Sequence, residues 1–572
     1  MKIRVLAWLL AVCLALMSCK SASEREIDAL VSGMSVREKV AQLMMISADS
    51  YAKPHAKAQK EHLVRDIGVG GIIFTNDRLT RASAMLVHLD SMSRLPLLVG
   101  IDGEWGPAMR FAELPFFPRQ LQLGAIEDDS LIYEMGRAVG EQCRLIGVNI
   151  NFAPVVDVNI NPRNPAINSR SFGADSERVA ALASAYMRGM QAGGISATAK
   201  HFPGHGDTEV DSHRALPCLE LSRERMDSVE LVPFRRLIRD GVDLVMLGHL
   251  LVPAYDSVPT THSRVIIKDL LQQRLGFDGI VVSDALTMRG LVKDTMYAEA
   301  VVKAYRAGVE LLLMPRQAEQ AIDEIVRLIE SGEETEEELD RRVKKILRLK
   351  QRYGLLKKDF HRSVITDENL SDYMLDKDRV ERLNTQLSEA SVTDIKGKVI
   401  PLTGRRVAYI GYRAVYHPYV RRYGDLEGLS GYAAFSGIDS TGAVTAVKTL
   451  MDEGVTVDYF PTSDEPSLEE IRLLLSRLRG YDEVVIGFHD GAQHAHQMLG
   501  VPEEHIQLFK HYAEETKVSV LYFGNPYDLA SWGDCSCLRN MIMCYADTYY
   551  NERAGAMVLV GKNSCRGVLP VR

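Results

Sequence analysis

The feature that most constrains the fold is an alternation of short apolar runs with amphipathic segments between about residues 40 and 315. Eight runs have the length and apolar character of buried strands, at 43–47, 70–75, 96–102, 148–157, 195–202, 244–250, 279–285 and 310–315. Between most of them lie segments such as 175–194, whose apolar residues recur every three or four positions, as on a helix face. Eight such units in about 270 residues predict a (β/α)8 TIM barrel, which typically takes about 250.

A second alternation of the same kind follows nearer the C-terminus. Its apolar runs are 406–412, 455–461, 482–489, 518–527 and 541–547, which predict a smaller, doubly wound α/β sandwich domain. The run RRVAYIGY lacks the Gly-x-Gly-x-x-Gly pattern, which disfavours a dinucleotide site. We therefore expect a barrel over residues 24–350, a charged linker over 351–404 and a second domain over 405–572.

The N-terminus has the features of an export signal. Lys2 and Arg4 precede an apolar run, Val5 to Met17, that is too short to span a bilayer comfortably. Its ending, LMSC, resembles a bacterial lipobox, which implies a signal over residues 1–19 and a lipid on the sulfur of Cys19. We expect an exported protein, lipid-anchored on the periplasmic or outer face of a bacterial membrane. A plain secretory signal with an incidental cysteine is the alternative.

Polar residues stand where the predicted strands of the barrel end. Because a barrel of this kind builds its active site at the C-terminal ends of its strands, a shared site is predicted there. One such residue alone would more simply be a helix cap or a satisfied buried group. The residues are Asp102, Asp157, Lys200, His201, His249 and Asp284.

The densest group is the segment 200–213, KHFPGHGDTEVDSH, which holds three histidines and three acids. These side chains are numerous enough to bind zinc. However, the run HFPGHGD contains one proline and two glycines, which argues against His201 and His205 sharing a helix face as in His-Glu-x-x-His sites. Lys200 also precedes the glycines, unlike the lysine of a phosphate-binding loop. We expect neither a metal nor a cofactor.

Acid–base chemistry fits this segment better. Asp211 and His213 are separated by one residue, and a carboxylate beside an imidazole fixes its tautomer and raises its basicity. Such a pair can donate a proton in one step and take one from water in the next. Asp284, from another strand, can attack the anomeric carbon of a sugar in a double displacement that retains configuration. Lys200 and His201 are placed to hydrogen-bond sugar hydroxyls.

These motifs resemble glycoside hydrolase family 3, and more narrowly its β-N-acetylglucosaminidase branch. The resemblance rests on KHFPGHGDTEVDSH, GVNINFAPVVDVN, NSRSFGAD and GIVVSDALTMRG in the first domain. In the second domain it rests on SVTDIKGKVIPLTGRRVAYIG, YFGNPYDLA and GVLPV. The Asp-Ser-His ending of the first motif separates this branch from the β-glucosidases, which take their acid/base from the second domain.

The resemblance implies a role for each matching residue. Asp284 would be the nucleophile, His213 the general acid/base and Asp211 its orienting partner. His205 and Asp207 would hold the shape of the loop. The sugar would be bound by Asp102, Arg170, Lys200 and His201.

Two positions depart from the family pattern. Members commonly have Asp-Gln-Glu-Gly-Gly after the third strand, whereas this chain has DGEWGPAMR from Asp102 to Arg110. Trp105 replaces a glycine there and is expected to narrow the sugar site or stack on it. Ala285 follows Asp284 where an acidic residue is frequent.

The resemblance implies a retaining exo-β-N-acetylglucosaminidase acting on peptidoglycan fragments or chitin-like glycans. A β-N-acetylglucosaminide phosphorylase or a β-glucosidase on the same fold is an alternative, as is a catalytically silent glycan-binding lipoprotein. The formal net charge of −8 argues against a nucleic-acid partner, which would require a basic face. His489 and Asp490 can reach the barrel mouth from the second domain, or can simply follow a strand in a loop.

Overall fold

The computed structural model describes residues 22–49, 51–210, 215–288, 291, 297–403, 406–414, 444–489 and 500–571. Several residues singled out in the sequence lie outside these ranges: the export signal with Cys19, the pair Asp211 and His213, and Asp490. In the described part of the chain, no helix is long and apolar enough to cross a membrane.

Eight parallel strands form the first sheet, in the order β7-β6-β5-β4-β3-β2-β1-β8. A parallel bridge between Val282 and Leu311 brings the two ends of this order together, so the sheet forms a barrel. All eight predicted strands are present, and the predicted (β/α)8 fold is confirmed. The strands are β1 (Met44–Ser47), β2 (Gly71–Phe74), β3 (Leu98–Ile101), β4 (Ile150–Asn151), β5 (Ser196–Phe202), β6 (Leu244–Leu247), β7 (Ile280–Ser283) and β8 (Leu312–Leu313).

The strands are nearly continuous apolar runs because both faces of a parallel sheet are covered. Every residue of β2, β3, β6 and β7 is buried. The seven residues of β5 are also buried, although the strand includes Lys200 and His201 near its C-terminal end. Two polar side chains in a buried strand require partners, which the candidate site provides.

Helices cover the outside of the barrel. They are α1 (Ala22–Ser32), α2 (Val36–Ala41), α3 (Pro54–His62), α4 (Leu79–Met92), α5 (Gln120–Leu123), α6 (Asp129–Leu145), α7 (Ser176–Ala192), α8 (Arg223–Ser228), α9 (Leu231–Arg239), α10 (Tyr297–Ala307), α11 (Ala318–Glu330) and α12 (Glu336–Arg352). Two segments with π-type hydrogen bonding, Leu63–Ile67 and Val265–Arg274, complete the layer. Helices α6 and α7 pack closely because they meet at glycines: a Cβ on Gly136 would lie 2.4 Å from the carbonyl oxygen of Tyr186.

The second domain is a six-stranded sheet in the order β11-β10-β12-β13-β14-β9. Hydrophobic clusters cover both of its faces, as predicted for an α/β sandwich. Its strands are β9 (Thr393–Asp394), β10 (Arg406–Tyr412), β11 (Thr456–Pro461), β12 (Glu483–Phe488), β13 (Val518–Tyr522) and β14 (Asn540–Met543). Helix α13 (Lys377–Ser391) directly precedes β9. The helices that follow in this domain are α14 (Thr445–Asp452), α15 (Leu468–Arg477), α16 (Glu503–Ala513) and α17 (Tyr549–Leu559).

Strand β9 comes from the segment predicted as a linker. It pairs antiparallel with β14 at the edge of the second sheet, while the other strand pairs of that sheet are parallel. The domain boundaries drawn from the sequence stay a prediction.

The C-terminal tail returns to the barrel. The Val568 amide donates a hydrogen bond to the Ala125 carbonyl at 2.9 Å, and the Ala174 amide donates to the Pro570 carbonyl at 3.0 Å. The C-terminal tail therefore contacts the barrel at the chain segments that lead into α6 and α7.

Candidate active site

A group of charged side chains lies at the C-terminal ends of β3 and β5. Lys200 Nζ is 2.9 Å from Asp102 Oδ1 and 2.9 Å from Glu104 Oε1. Arg170 donates to the same Glu104, with Nη2 at 2.7 Å from Oε1 and Nε at 3.0 Å from Oε2. The structure thus brings together three of the residues predicted to bind sugar. We call Asp102, Glu104, Arg170 and Lys200 the charged cluster.

Glu104 is the member of this cluster that sequence reasoning missed. It is only 1% exposed, and burial alone would raise the pKa of its carboxyl. The Arg170 and Lys200 cations outweigh burial and hold that pKa well below its ordinary value. The available signal was its place two residues after Asp102, in the loop that follows the third predicted strand. Glu104 is the ionised anchor on which both cations converge.

His201 is oriented by Asp157. The ring Nδ1 lies 2.7 Å from Asp157 Oδ2, and Asp157 Oδ1 also accepts a hydrogen bond from the His205 amide at 2.7 Å. Burial opposes ionisation of Asp157, yet the nearby His201 keeps the pKa of the carboxyl below its ordinary value. With Nδ1 donating to this carboxylate, His201 Nε2 presents a lone pair to Arg170 Nη2 at 3.3 Å. The histidine predicted to bind sugar therefore contacts the charged cluster.

Asp284 follows the last residue of β7, and its Oδ1 accepts a hydrogen bond from the Ala285 amide at 2.7 Å. Burial would raise the pKa of this carboxyl. The neighbouring imidazoles of His249 and His201 and the Ala285 amide outweigh burial and lower the pKa to about 2. His249 Nε2 in turn lies 3.1 Å from the Ala285 carbonyl oxygen. Asp284 is therefore ionised at neutral pH, as a carboxylate nucleophile must be.

The loop that precedes Asp211 and His213 is fixed to the barrel. Gly206 lets it approach closely, because a Cβ there would lie 1.9 Å from the Val158 carbonyl oxygen. His205 Nδ1 contacts Thr208 Oγ1 at 2.8 Å, and burial lowers the pKa of this imidazole to about 4, so it is neutral near pH 7. Asp207 lies 3.8 Å from Arg225 on α8. Asp211 and His213 themselves stay a prediction from the sequence.

The comparisons with known proteins identify the family of the barrel domain. The model of the "Glycosyl hydrolase family 3 N terminal domain" matches residues 35–349, more than half of the chain. The chain belongs to glycosyl hydrolase family 3.

The chain is similar to a curated relative and to two solved structures. A "Beta-N-acetylglucosaminidase/beta-glucosidase" of Cellulomonas fimi is 32% identical over 359 residues, which are 60% of this chain and 63% of the relative. The chain thus spans less than two thirds of that relative's length. A family 3 β-N-acetylglucosaminidase from Paenibacillus sp. str. FPU-7 matches with a TM-score of 0.75 and 30% identity, over 94% of this chain and 99% of its own. The beta-glucoside phosphorylase BglX, at 20% identity and a TM-score of 0.74 over 97% and 96%, shares the fold.

The loop from Asp102 to Arg110, which departs from the family 3 pattern, is held against the charged cluster by Arg110. Arg110 Nη2 is 3.3 Å from Asp102 Oδ2, and Arg110 Nε donates to the Asp102 carbonyl at 3.1 Å. The Arg119 guanidinium lies over the ring of Trp105, 4.1 Å from its centre. One face of the tryptophan is thus covered by protein, and Trp105 lines a small crevice with Asp547 of the second domain.

His489 is turned into the second domain. It is 3% exposed, its Nδ1 lies 2.9 Å from Asp547 Oδ1, and its Nε2 lies 3.1 Å from the Tyr409 hydroxyl. Glu552 accepts a hydrogen bond from the Ala446 amide at 3.0 Å, and burial and the adjacent Asp547 raise the pKa of Glu552 well above its ordinary value. Ligand atoms of His489, Asp547 and Glu552 lie within 4.8 Å of one another, close enough to hold a metal ion. His489 therefore contacts its own domain, and Asp547 is the member of this group that lines the crevice shared with Trp105 of the barrel.

Proposed function

We propose that this protein is a retaining exo-β-N-acetylglucosaminidase that uses Asp284 as its nucleophile. The observation that carries the proposal is the position of Asp284, which directly follows β7 at the same end of the barrel as the charged cluster and accepts a hydrogen bond from the Ala285 amide; its surroundings lower the pKa of this carboxyl to about 2. In the first step Asp284 attacks the anomeric carbon and the aglycone leaves with a proton from His213. In the second step water, deprotonated by His213, displaces Asp284 and restores the carboxylate. Asp211 orients the His213 imidazole in both steps.

The charged cluster supplies binding groups for the sugar that is released. Asp102 can accept hydrogen bonds from hydroxyls, while Lys200 and Arg170 can donate them. Because these side chains already contact one another at about 2.7–3.1 Å, they are held in place before the sugar arrives. Binding then costs less ordering of side chains than it would in a loose site. Such an array suits a terminal sugar enclosed at the end of a barrel.

Support for N-acetylglucosamine comes from the sequence and from the relatives. The Asp-Ser-His motif at 211–213 resembles the β-N-acetylglucosaminidase branch, and the names of the Cellulomonas and Paenibacillus proteins include that activity. We further propose peptidoglycan fragments or related glycans as substrates. The N-terminal segment supports export and lipid attachment at Cys19.

A panel of aryl glycosides that differ only at C2 tests the substrate. We expect turnover of the 2-acetamido glycoside to exceed that of the 2-hydroxy glycoside, and Asp284→Ala to abolish both. Preference for the 2-hydroxy compound would favour the β-glucosidase activity that the Cellulomonas relative's name also includes. Products that become sugar phosphates when phosphate is added would indicate phosphorolysis. No turnover, together with binding of muropeptides, would indicate a glycan-binding lipoprotein.

A further inference from the structure

Two side chains of the second domain contact the barrel segment that carries Arg170. The Tyr527 hydroxyl donates a hydrogen bond to the Asn159 carbonyl at 2.8 Å and accepts one from Asn159 Nδ2 at 2.7 Å. Asn525 Nδ2 donates to Asn168 Oδ1 at 2.5 Å. All four residues are buried, so these hydrogen bonds are not readily replaced by water. We call Asn525 and Tyr527 the interdomain clamp.

The two residues held by the clamp are also bonded to each other. The Asn168 amide donates to Asn159 Oδ1 at 3.0 Å, which closes the loop between them, and Asn168 Nδ2 donates to the Pro162 carbonyl at 3.2 Å. Asn168 has a φ of 42°, in the left-handed region that most residues avoid. A backbone in this region persists only where surrounding contacts hold it. The clamp supplies such contacts from outside the barrel, directly at Asn168 through Asn525 and at its partner Asn159 through Tyr527.

The turn that begins at Asn168 ends at Arg170. Residues Asn168–Arg170 form one 3-10 turn, in which the Arg170 amide donates to the Ile167 carbonyl at 2.9 Å and the Ser171 amide to the Asn168 carbonyl at 3.1 Å. The position of the Arg170 guanidinium against Glu104 and His201 therefore depends on the conformation of Asn168. A shift of this turn would move the guanidinium relative to both.

We propose that Asn525 and Tyr527 are positioning residues for the sugar site, acting through the turn at Asn168 on Arg170. The second domain then takes part in sugar binding without contributing a catalytic group. This proposal rests on the proposed function, since it takes Arg170 as a sugar-binding residue. It predicts that loss of the clamp weakens sugar binding more than it slows bond cleavage.

Two conservative variants of the full-length protein test the clamp. Tyr527→Phe removes the hydroxyl alone. Asn525→Asp keeps the oxygen that accepts from the Tyr527 amide at 3.1 Å but removes the donor to Asn168. The matched control is Ser391→Ala, which removes a different buried hydrogen bond, the one from Gln122 Nε2 on the barrel at 3.1 Å. Each variant is assayed for KM and kcat on an aryl β-N-acetylglucosaminide, for inhibition by free N-acetylglucosamine, and for Tm.

Both clamp variants should raise KM and the inhibition constant roughly tenfold, with kcat within about threefold of wild type, as expected when one or two buried hydrogen bonds are lost. Ser391→Ala should leave both constants within about twofold, whatever its effect on Tm. In an Arg170→Ala background, Tyr527→Phe should add nothing to KM, because both changes act on the same group.

The outcomes separate the clamp from the function on which it rests. If the wild-type enzyme is active and the clamp variants lower Tm but keep KM, the proposed positioning role of the clamp is wrong. Additive effects of Tyr527→Phe and Arg170→Ala on KM would also contradict it. A wild-type protein that neither cleaves the aryl glycoside nor binds N-acetylglucosamine would refute the proposed function, and the sugar-binding role of Arg170 with it.

Discussion

Neutralising Glu104 should weaken both the fold and the sugar site. The carboxylate is 1% exposed and contacts two cations, Lys200 at 2.9 Å and Arg170 at 2.7 Å. In Glu104→Gln the shape of the side chain is kept, but the buried Lys200 and the partly buried Arg170 are left with one fewer negative charge. The variant therefore isolates the charge of Glu104 from its volume.

The size of the effect follows from the remaining partners. Removing one member of a buried ion pair costs about 3–5 kcal/mol, since the other charge stays buried without compensation. Lys200 retains Asp102 at 2.9 Å, and Arg170 Nη1 retains the Ala166 carbonyl at 2.8 Å. We therefore expect the lower end, a loss of about 3 kcal/mol in the free energy of unfolding. KM should rise as well, because Arg170 and Lys200 are no longer held in place.

The effect should depend on pH in a defined direction. The pKa of Glu104 in the folded protein lies below the value of about 4.3 expected in the unfolded chain. A carboxyl with a depressed folded pKa stabilises the protein above the unfolded pKa, and this stabilisation is lost as pH falls through the folded pKa. The difference in unfolding free energy between wild type and Glu104→Gln should thus be largest near pH 7 and shrink below about pH 4.

A second buried glutamate gives the matched control. Glu310 is fully buried and contacts Arg341 at 2.8 Å and Lys345 at 3.0 Å, but it precedes β8 and so lies at the opposite end of the barrel. Denaturant unfolding at pH 7 and pH 4 and steady-state kinetics compare the two variants. Glu310→Gln should lose comparable stability and keep KM. A Glu104→Gln protein within about 0.5 kcal/mol of wild type, with unchanged KM, would refute the anchoring role of Glu104.

Three further predictions concern catalysis. Asp284→Ala should lower kcat by roughly 10⁴-fold or more with little change in Tm, and substantial residual turnover would exclude Asp284 as the nucleophile. His213→Ala should slow glycosides with poor leaving groups far more than activated aryl glycosides, because only the former need a proton on departure; equal losses would argue against its role as acid. EDTA should leave the rate unchanged, since side chains carry every proposed step. A loss of activity on chelation would indicate that a metal ion is required, with His489, Asp547 and Glu552 as its candidate ligands.

The fold was largely predictable because each buried parallel strand is a short apolar run. That signal holds even for β4 and β8, of which only two residues each pair as strand. It fails for β9, a two-residue edge strand with the sequence Thr-Asp that pairs with β14. Nothing apolar marks β9, and its pairing depends on a partner almost 150 residues away in the chain. Such a strand is defined by tertiary contact alone.

The residues of the candidate site that stand at the ends of predicted strands could be identified from the sequence. Asp102, Lys200 and His201 stand at such positions, and the structure joins them through side-chain contacts. Glu104 was missed because it lies beyond the strand end, where an acid also suits a solvated loop. The clamp was missed for a different reason. Asn525 lies in a motif that resembles the family, but its contact with Asn168 spans 357 positions and cannot be read from spacing.

The pairing of charges also bears on how Asp284 can act as a nucleophile. A carboxylate held by a cation has its lone pairs engaged and attacks carbon poorly. Here Lys200 and Arg170 bind Glu104, while Asp284 accepts a hydrogen bond from the neutral Ala285 amide. Lys200 still favours the charged form of Asp284 from a distance, since it is among the groups that lower the pKa of this carboxyl. Glu104 thus has a second consequence: with its charge removed, Asp102 is the acid that still holds Lys200, the position of this cation relative to Asp284 is less fixed, and kcat should fall in Glu104→Gln beyond what the rise in KM explains.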